Sequence, residues 1–363
     1  MHQLLIVGNG FDLTCGLKSS FVDFYKERER LGRQWSAGDE STIWDIILYD
    51  SYQESRSRWC DIEGEIAHWV YGADSEPAAI SKCVANWHEF IGDRPTNATY
   101  NYQDLEYPDI YSYACSKIGC QIDCGSFASL LKNELISFEK HFSTYLTAQL
   151  QQSDDYIEQA AKWGNALLHD EGASSGWSDD SSILNFNYTN PWIELCGKAA
   201  VDVRCIHGSL ADDNVIFGMD AHKAMEDDVA RPFTKAYRIL ENGVQGSSDA
   251  RRLAWRYDPY EENTRTGIIK IFGHSLAAAD YSYFQSIFDT VDLYGSDTRL
   301  IVYYRVYDQK KGREKIREET CLAVSRLLFA YGQTLDNIDH GRNLMTRLML
   351  EGRLVVKAVS YTH

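Results

Sequence analysis

The stretch Leu4-Leu5-Ile6-Val7-Gly8-Asn9-Gly10-Phe11-Asp12 constrains the fold of this chain more than any other. Four consecutive apolar residues running into Gly-Asn-Gly read as a strand buried on both faces that ends in a tight turn. The glycines permit positive φ and remove Cβ atoms from the path of a ligand approaching the backbone. Amide N–H groups exposed in such a turn suit a pyrophosphate. The full dinucleotide fingerprint asks for a third glycine three residues after the second, and Leu13 stands there. Without a ligand, the same residues read as a turn that starts a helix.

The strand pattern returns after residue 180. Ser182 to Phe186 leads into Asn187-Tyr188-Thr189-Asn190, and Val203 to Ile206 into His207-Gly208-Ser209-Leu210. Val215-Ile216-Phe217 leads into Gly218-Met219-Asp220, and Ile268 to Phe272 into Gly273-His274-Ser275-Leu276. Leu300 to Tyr304 makes a further strand, and Arg353 to Val359 a last one. In an open parallel sheet, ligands bind at the carboxyl ends of strands, where these polar residues fall. The expected class is α/β, a Rossmann-like parallel sheet with helices on both faces and a large helical insertion. Residues 1–20 plus 180–310 form the expected core, 21–180 the insertion, and 311–363 a C-terminal helix from about Glu314 to Ala330 with the last strand.

Within the insertion, Ser19 or Ser20 is placed to cap a helix whose packed face carries Phe21, Phe24 and Tyr25. Ile43, Trp44, Ile46, Ile47 and Leu48 make an apolar segment, and Trp59, Ile62, Ile66, Trp69 and Val70 another helical face. Phe127, Leu131, Leu135, Phe138, Phe142 and Tyr145 line one side of a long helix. Residues 92–125 show no clear period and read as a long loop or lid, and Gly172 to Asp180 as a surface loop. Asp61, Glu63 and Glu65 oppose a helix dipole. Alternatively, Glu63 points into a catalytic cleft.

The 363 residues suffice for one large domain or two ordinary ones. A net charge of −17 opposes non-specific contact with nucleic acid and anionic membranes. No apolar run reaches the length of a membrane helix, and Leu4 to Val7 is too short for a signal sequence. Nine cysteines lack framework spacing, as expected of a reduced, cytoplasmic protein. Cys115, Cys120 and Cys124 cluster without a Cys-x-x-Cys pair, so no metal site is expected.

These motifs, taken in order, resemble the AbiH family of bacterial abortive-infection (phage-defence) proteins. The residues carrying the resemblance are Gly8 to Leu13 with Gly16-Leu17, Trp59-Cys60-Asp61-Ile62-Glu63, Asn187 to Asn190, His207-Gly208, and Phe272 to Leu276 with Asp280. AbiH proteins are in turn similar to sirtuin-type NAD-consuming domains. The Gly8-Asn9-Gly10 loop, Asn187, His207-Gly208-Ser209 and Gly273-His274-Ser275-Leu276 stand where sirtuins carry their nucleotide loop, catalytic Asn, catalytic His and late Gly-x-Ser-Leu loop. Asn187 precedes His207 by twenty residues, a spacing close to that of sirtuins. Thr189 replaces an acidic residue of that pattern, Ser19-Ser20-Phe21 replaces the deacetylase Pro-Asp-Phe-Arg, and the structural zinc cysteines are missing.

The resemblance therefore implies NAD cleavage at the nicotinamide bond rather than protein deacetylation. It gives Asn187 and His207 the catalytic roles, Gly8, Asn9, Gly10, Phe11 and Asp12 the pyrophosphate and ribose, and Gly273, His274, Ser275 and Asp280 the rest of the nucleotide. The implied partners are a nucleotide, a phage-derived trigger and further copies of the chain, with no membrane and no nucleic acid. Restraint of a toxic activity would fall to an oligomer or to residues 92–125. Two alternatives are a nucleotide-sensing module without turnover, and a metal-dependent nuclease using Asp61, Glu63 and Glu65.

Overall fold

A computed structural model describes residues 2–36, 40–55, 62–72, 77–92, 105–170, 181–196, 201–220, 224–242, 266–305, 312–336 and 341–359. Strand β1 (His2–Val7) passes into α1 (Asn9–Thr14), and α2 (Phe21–Arg33), α3 (Ile43–Ser55), α4 (Ile62–Val70) and α5 (Ala79–Ile91) follow. Next come α6 (Pro108–Ile118), α7 (Cys124–Gln151), α8 (Tyr156–His169), β2 (Ser181–Asn185), α9 (Trp192–Cys196), β3 (Asp202–Cys205) and α10 (Lys235–Glu241). The chain continues through β4 (Thr266–Phe272), α11 (Tyr281–Thr290), β5 (Arg299–Tyr304), α12 (Arg313–Gly332), α13 (Leu344–Leu350) and β6 (Leu354–Ala358). Contacts divide the chain into two compact units. The first is Met1–Ser19, Leu146–Asn214 and Val244–His363, and the second is Ser20–Tyr145 and Val215–Gly243.

The first unit is built on one sheet of order β3-β2-β1-β4-β5-β6, every pair parallel. The apolar run of β1 is covered on both sides, as a central parallel strand must be. Leu4 and Ile6 pack with Phe284 and Phe288 of α11, Leu327 and Leu328 of α12, and Leu344 of α13. Leu5 and Val7 face the other way, onto Phe11, Trp192 and the α8 residues Tyr156, Trp163 and Leu167. Period-two alternation thus divides the helices between two faces. The chain leaves β1 toward β2 on one side and resumes at β4 on the other. The carboxyl ends of β1 and β4 are therefore the switch point where such sheets hold ligands.

The second unit is helical. Ser20 caps α2 by accepting the Asp23 amide, and Phe24 packs against Phe138 and Phe142 of α7. Two expectations are corrected here. Residues 108–118 form a helix, α6, instead of a loop. Pro108 presets its first turn, and Ile110, Tyr111, Tyr113 and Ala114 are buried at helical spacing. Val215 to Phe217 is not a strand of the sheet. The Phe217 amide donates to the Glu139 carboxylate, and its carbonyl accepts from Arg238. Side chains have taken the backbone groups that a ladder would have used. Trp59, Cys60, Asp61 and 172–180 lie outside the described residues. No described helix is long and apolar enough to cross a membrane.

Candidate functional site

Ten of the expected site residues follow β1, β2 and β4 of the first unit, in the adjoining loops and helix starts, and His207 follows β3. The loops after β1 and β4 interlock. Gly8 donates its amide to the Phe272 carbonyl and Gly10 to that of Gly273, at 3.1 and 2.8 Å, while the Phe11 amide closes on Gly8. A Cβ on Gly10 would stand 2.7 Å from Gly273 Cα, and one on Gly273, whose φ is +71°, 2.4 Å from the Phe11 nitrogen. The glycines are therefore needed for loop-to-loop contact. This corrects the expectation that the amides of Gly8 and Gly10 face a pyrophosphate, because both are committed to backbone carbonyls. The Phe11 side chain points away from these loops. It is buried against Trp192 and Phe272 in the core. The Asn9 side chain accepts a hydrogen bond from Ser19 at 2.5 Å.

Asp12 lies one helical turn further on and is buried. Its carboxylate accepts from Tyr156 at 2.8 Å, from Thr189 at 2.6 Å and, more weakly, from Asn187 Nδ2 at 3.5 Å. Burial pushes its carboxyl up to about 6, against the lowering effect of the Thr189 and Tyr156 bonds. Tyr156 is held protonated: burial and then the Asp12 charge raise its hydroxyl well above its ordinary range. Neither Tyr156 nor Thr189 was expected as a partner of Asp12. Only the three-dimensional course of α8 brings Tyr156 to Asp12, from 144 positions away.

Asn185 at the end of β2 organises the loop that presents Asn187. It donates to the Thr189 carbonyl at 2.7 Å and accepts the Asn187 amide at 3.1 Å. Asn187 is 3% exposed, and its Oδ1 has no hydrogen-bond partner among the described residues. The contact of Nδ2 with a carboxylate fixes which way the amide points. A buried, aimed and unused acceptor is what remains.

His207 follows β3, and the Leu210 amide binds the Tyr188 carbonyl at 2.8 Å, tying the loops after β2 and β3 together. Its Nε2 lies 3.2 Å from Asp280 Oδ1, and His274 Nε2 lies 3.2 Å from Asp280 Oδ2. One carboxylate thus spans two imidazoles. His274 Nδ1 accepts the Leu276 amide at 2.9 Å, so the proton of the neutral ring sits on Nε2, toward Asp280. Leu276 adopts φ of +57° to make that bond, a left-handed conformation that disfavours a leucine. Phe186 lies edge-on to both rings, its centroid 5.3 Å from that of His207 and 4.3 Å from that of His274. Ser275 is exposed and accepts the Ala277 amide.

Of the acids of the nuclease alternative, Glu63 and Glu65 belong to the second unit. Glu63 pairs with Lys235 at 2.7 Å, and Glu65 accepts from Ser51. Among the described residues no group of three acids, histidines or cysteines is arranged to hold a metal ion.

A six-stranded parallel sheet with the order read above, carrying a buried polar cluster at its carboxyl edge, defines a Rossmann-like α/β protein. The family model of the bacteriophage abortive-infection proteins AbiH matches residues 4–304, and the chain belongs to that family. Searches of curated proteins and of solved structures returned no significant match.

Proposed function

We propose that this AbiH protein is a phage-defence effector that binds NAD at the carboxyl edge of its sheet and hydrolyses the nicotinamide N-glycosidic bond. The observation that supports this is convergence. Asp12, Asn187, His207 and His274 come from the ends of four strands around the switch point, where an α/β sheet holds a nucleotide. The choice of NAD rests on the short sirtuin-like motifs around Asn187 and His207.

The reaction consumes one water and yields nicotinamide, ADP-ribose and a proton. The glycosidic bond breaks through an oxocarbenium-like ribose, and the nicotinamide nitrogen keeps the bonding pair. His207 takes the proton of the attacking water, a task that suits an imidazole. The unused Oδ1 of Asn187 accepts from that water or from a ribose hydroxyl and orients it. The carboxylate of Asp12 places a negative charge beside Asn187, where positive charge develops on the sugar.

Incubation of the purified chain with NAD, followed by chromatography, tests the proposal. Nicotinamide release is expected, with loss of about 100-fold or more in His207→Ala and Asn187→Ala. Undiminished turnover in both folded variants would remove those roles. Loss of phage protection in the same variants would connect the chemistry to defence. A second reading, nucleotide binding without turnover, is favoured by the burial of Asn187 and His207, at 3% and 4% exposure. Calorimetric binding of NAD that is recovered intact would select it. An infection trigger and assembly into an oligomer complete the proposal, since a toxic hydrolase needs restraint.

A further inference from the structure

The glycine turn leaves the charge of a dinucleotide unanswered. Its amides at Gly8 and Gly10 are spent on the carbonyls of Phe272 and Gly273. Asp12 and Asp280 stand at the same carboxyl edge, so phosphates brought there without a cation would meet repulsion. We infer that Arg305 is that cation, and that it anchors the phosphates of the nucleotide in place of the Gly8 and Gly10 amides. This rests on the reading of the carboxyl edge as a nucleotide site.

The residues directly following the six strands are Gly8, Phe186, Ile206, Gly273, Arg305 and Val359, and Arg305 is the basic one. Strand β5 pairs with β4 so that Tyr303 lies beside Phe272. Arg305 therefore emerges level with the loop that starts at Gly273, next to the switch point. By alternation it shares a side of the sheet with Ile301 and Tyr303, the side that α8 covers.

The guanidinium is built in. Nη1 donates to the carbonyl of Thr14, the last residue of α1, at 2.8 Å, and the group lies 4.4 Å from the ring centroid of Trp163. Trp163 is in turn stacked on Phe272 at the end of β4. One nitrogen and one face are thus fixed, while the residue stays half-buried. Nε and Nη2 make no hydrogen bond among the described residues, and that edge of the fork matches two phosphate oxygens. The hydroxyl of Thr14 is buried and also lacks a hydrogen-bond partner among the described residues. Buried donors rarely stay unpaired, and a phosphate oxygen would supply the acceptor.

Helix α1 joins this corner to the buried acid. Its Asp12 binds Thr189 after β2, and its Thr14 binds Arg305 after β5. The Cys15 thiol, pushed up chiefly by burial, is raised further by Asp12 and lowered by Arg305, so both charges reach one buried atom. A nucleotide laid across this edge has its ribose at Asn187 and its phosphates at Arg305.

Calorimetry with ADP-ribose, which carries both phosphates and no nicotinamide to lose, tests this. Arg305→Met keeps an apolar stem over Trp163 and removes the charge. Arg305→Lys keeps the charge and loses the fork, and carries the same comparison should Arg305→Met fail to fold. Affinity is expected to fall roughly 10–100-fold in Arg305→Met and by less in Arg305→Lys. With NAD, KM should rise by a similar factor while kcat stays within about threefold. The gap between the unaltered chain and the variants should narrow as salt is raised, because screening weakens the contribution of the charge. An unchanged affinity, a gap indifferent to salt, or a fall in kcat at constant KM would each make Arg305 a structural residue and overturn the inference. If the unaltered chain neither binds ADP-ribose nor releases nicotinamide, the NAD reading fails, and inorganic pyrophosphate decides on Arg305 alone. It should then raise the melting temperature of the unaltered chain and not that of Arg305→Met, and any other pattern ends the proposal.

Discussion

The two units treat buried carboxylates in opposite ways. In the helical unit, Asp45 receives Arg28 through two bonds of 2.6 and 2.7 Å, and Glu139 receives both terminal nitrogens of Arg238. Each acid there has a permanent cation. In the sheet unit, Asp12 is held by a phenol, a hydroxyl and a carboxamide, all neutral. Asp280 faces imidazoles, which carry charge only when protonated. Removing a carboxylate from water costs several kcal/mol, and a guanidinium returns more of it than neutral donors do. The first arrangement fixes a scaffold. The second leaves a carboxyl able to change state near neutral pH, as chemistry requires.

The largest effect should come from breaking the scaffold type. The pair Arg238–Glu139 has side-chain exposures of only 2% and 6%. Arg238→Met leaves Glu139 buried without its cation, and removes the Arg238 bond to the Phe217 carbonyl. A loss of about 3–5 kcal/mol is expected in urea unfolding. Burial already holds the Glu139 carboxyl above its usual range, with Arg238 opposing the rise. Adding Glu139→Leu to Arg238→Met should recover more than half of the loss, because the uncompensated charge is gone. A double variant no more stable than the single one would show that packing, and not the charge, sets the cost.

Asp12 should behave in the opposite sense. Its folded carboxyl lies at about 6 against an ordinary 3.8, so between those values the folded chain binds more protons than the unfolded one. The stabilisation this brings is complete below the lower value, and is lost as pH rises through the upper. The difference of about 2 units corresponds to roughly 3 kcal/mol. Asp12→Asn removes this slope. The stability of the unaltered chain relative to the variant should therefore fall by about that amount from pH 4 to pH 7. Unfolding curves at four pH values would read it, and a parallel pair of profiles would show that Asp12 ionises without strain. The variant should at the same time lose NAD turnover, which separates stability from function.

The sheet was legible because a strand buried on both faces has few alternatives. Leu4 to Val7, Ile268 to Phe272 and Leu300 to Tyr304 announce themselves by composition, and the glycines after the first two mark the site's edge. Val215 to Phe217 carried the same apolar signal, yet its amide and carbonyl went to Glu139 and Arg238. Pattern alone does not say which partner a backbone group finds. The helix 108–118 was hidden because half of its buried face is tyrosine, Tyr111 and Tyr113, and each buried hydroxyl needs an acceptor, Cys83 and Ser41 carbonyls here. Asn187 and His207 stood out from their place at strand ends. Tyr156 could not, since nothing in α8 itself points toward Asp12.

The smallest effect should come from the neutral bond that α8 supplies. Tyr156→Phe deletes one donor to Asp12 and keeps the ring in the core. Losing a hydrogen bond to a charged acceptor costs about 1.5–3 kcal/mol, and to a neutral one about 1 kcal/mol. The cost should therefore be larger at pH 7, where Asp12 is ionised, than at pH 5, where it is mostly protonated. The inflection of the pH–rate profile should move up, because a bond that favours the carboxylate has been taken away. A cost that is the same at both pH values would place Tyr156 with the structural donors of the helical unit, and erase the distinction between the two kinds of buried acid. A cost that grows with pH would tie the phenol to the charged state of Asp12, the state in which its negative charge faces the sugar.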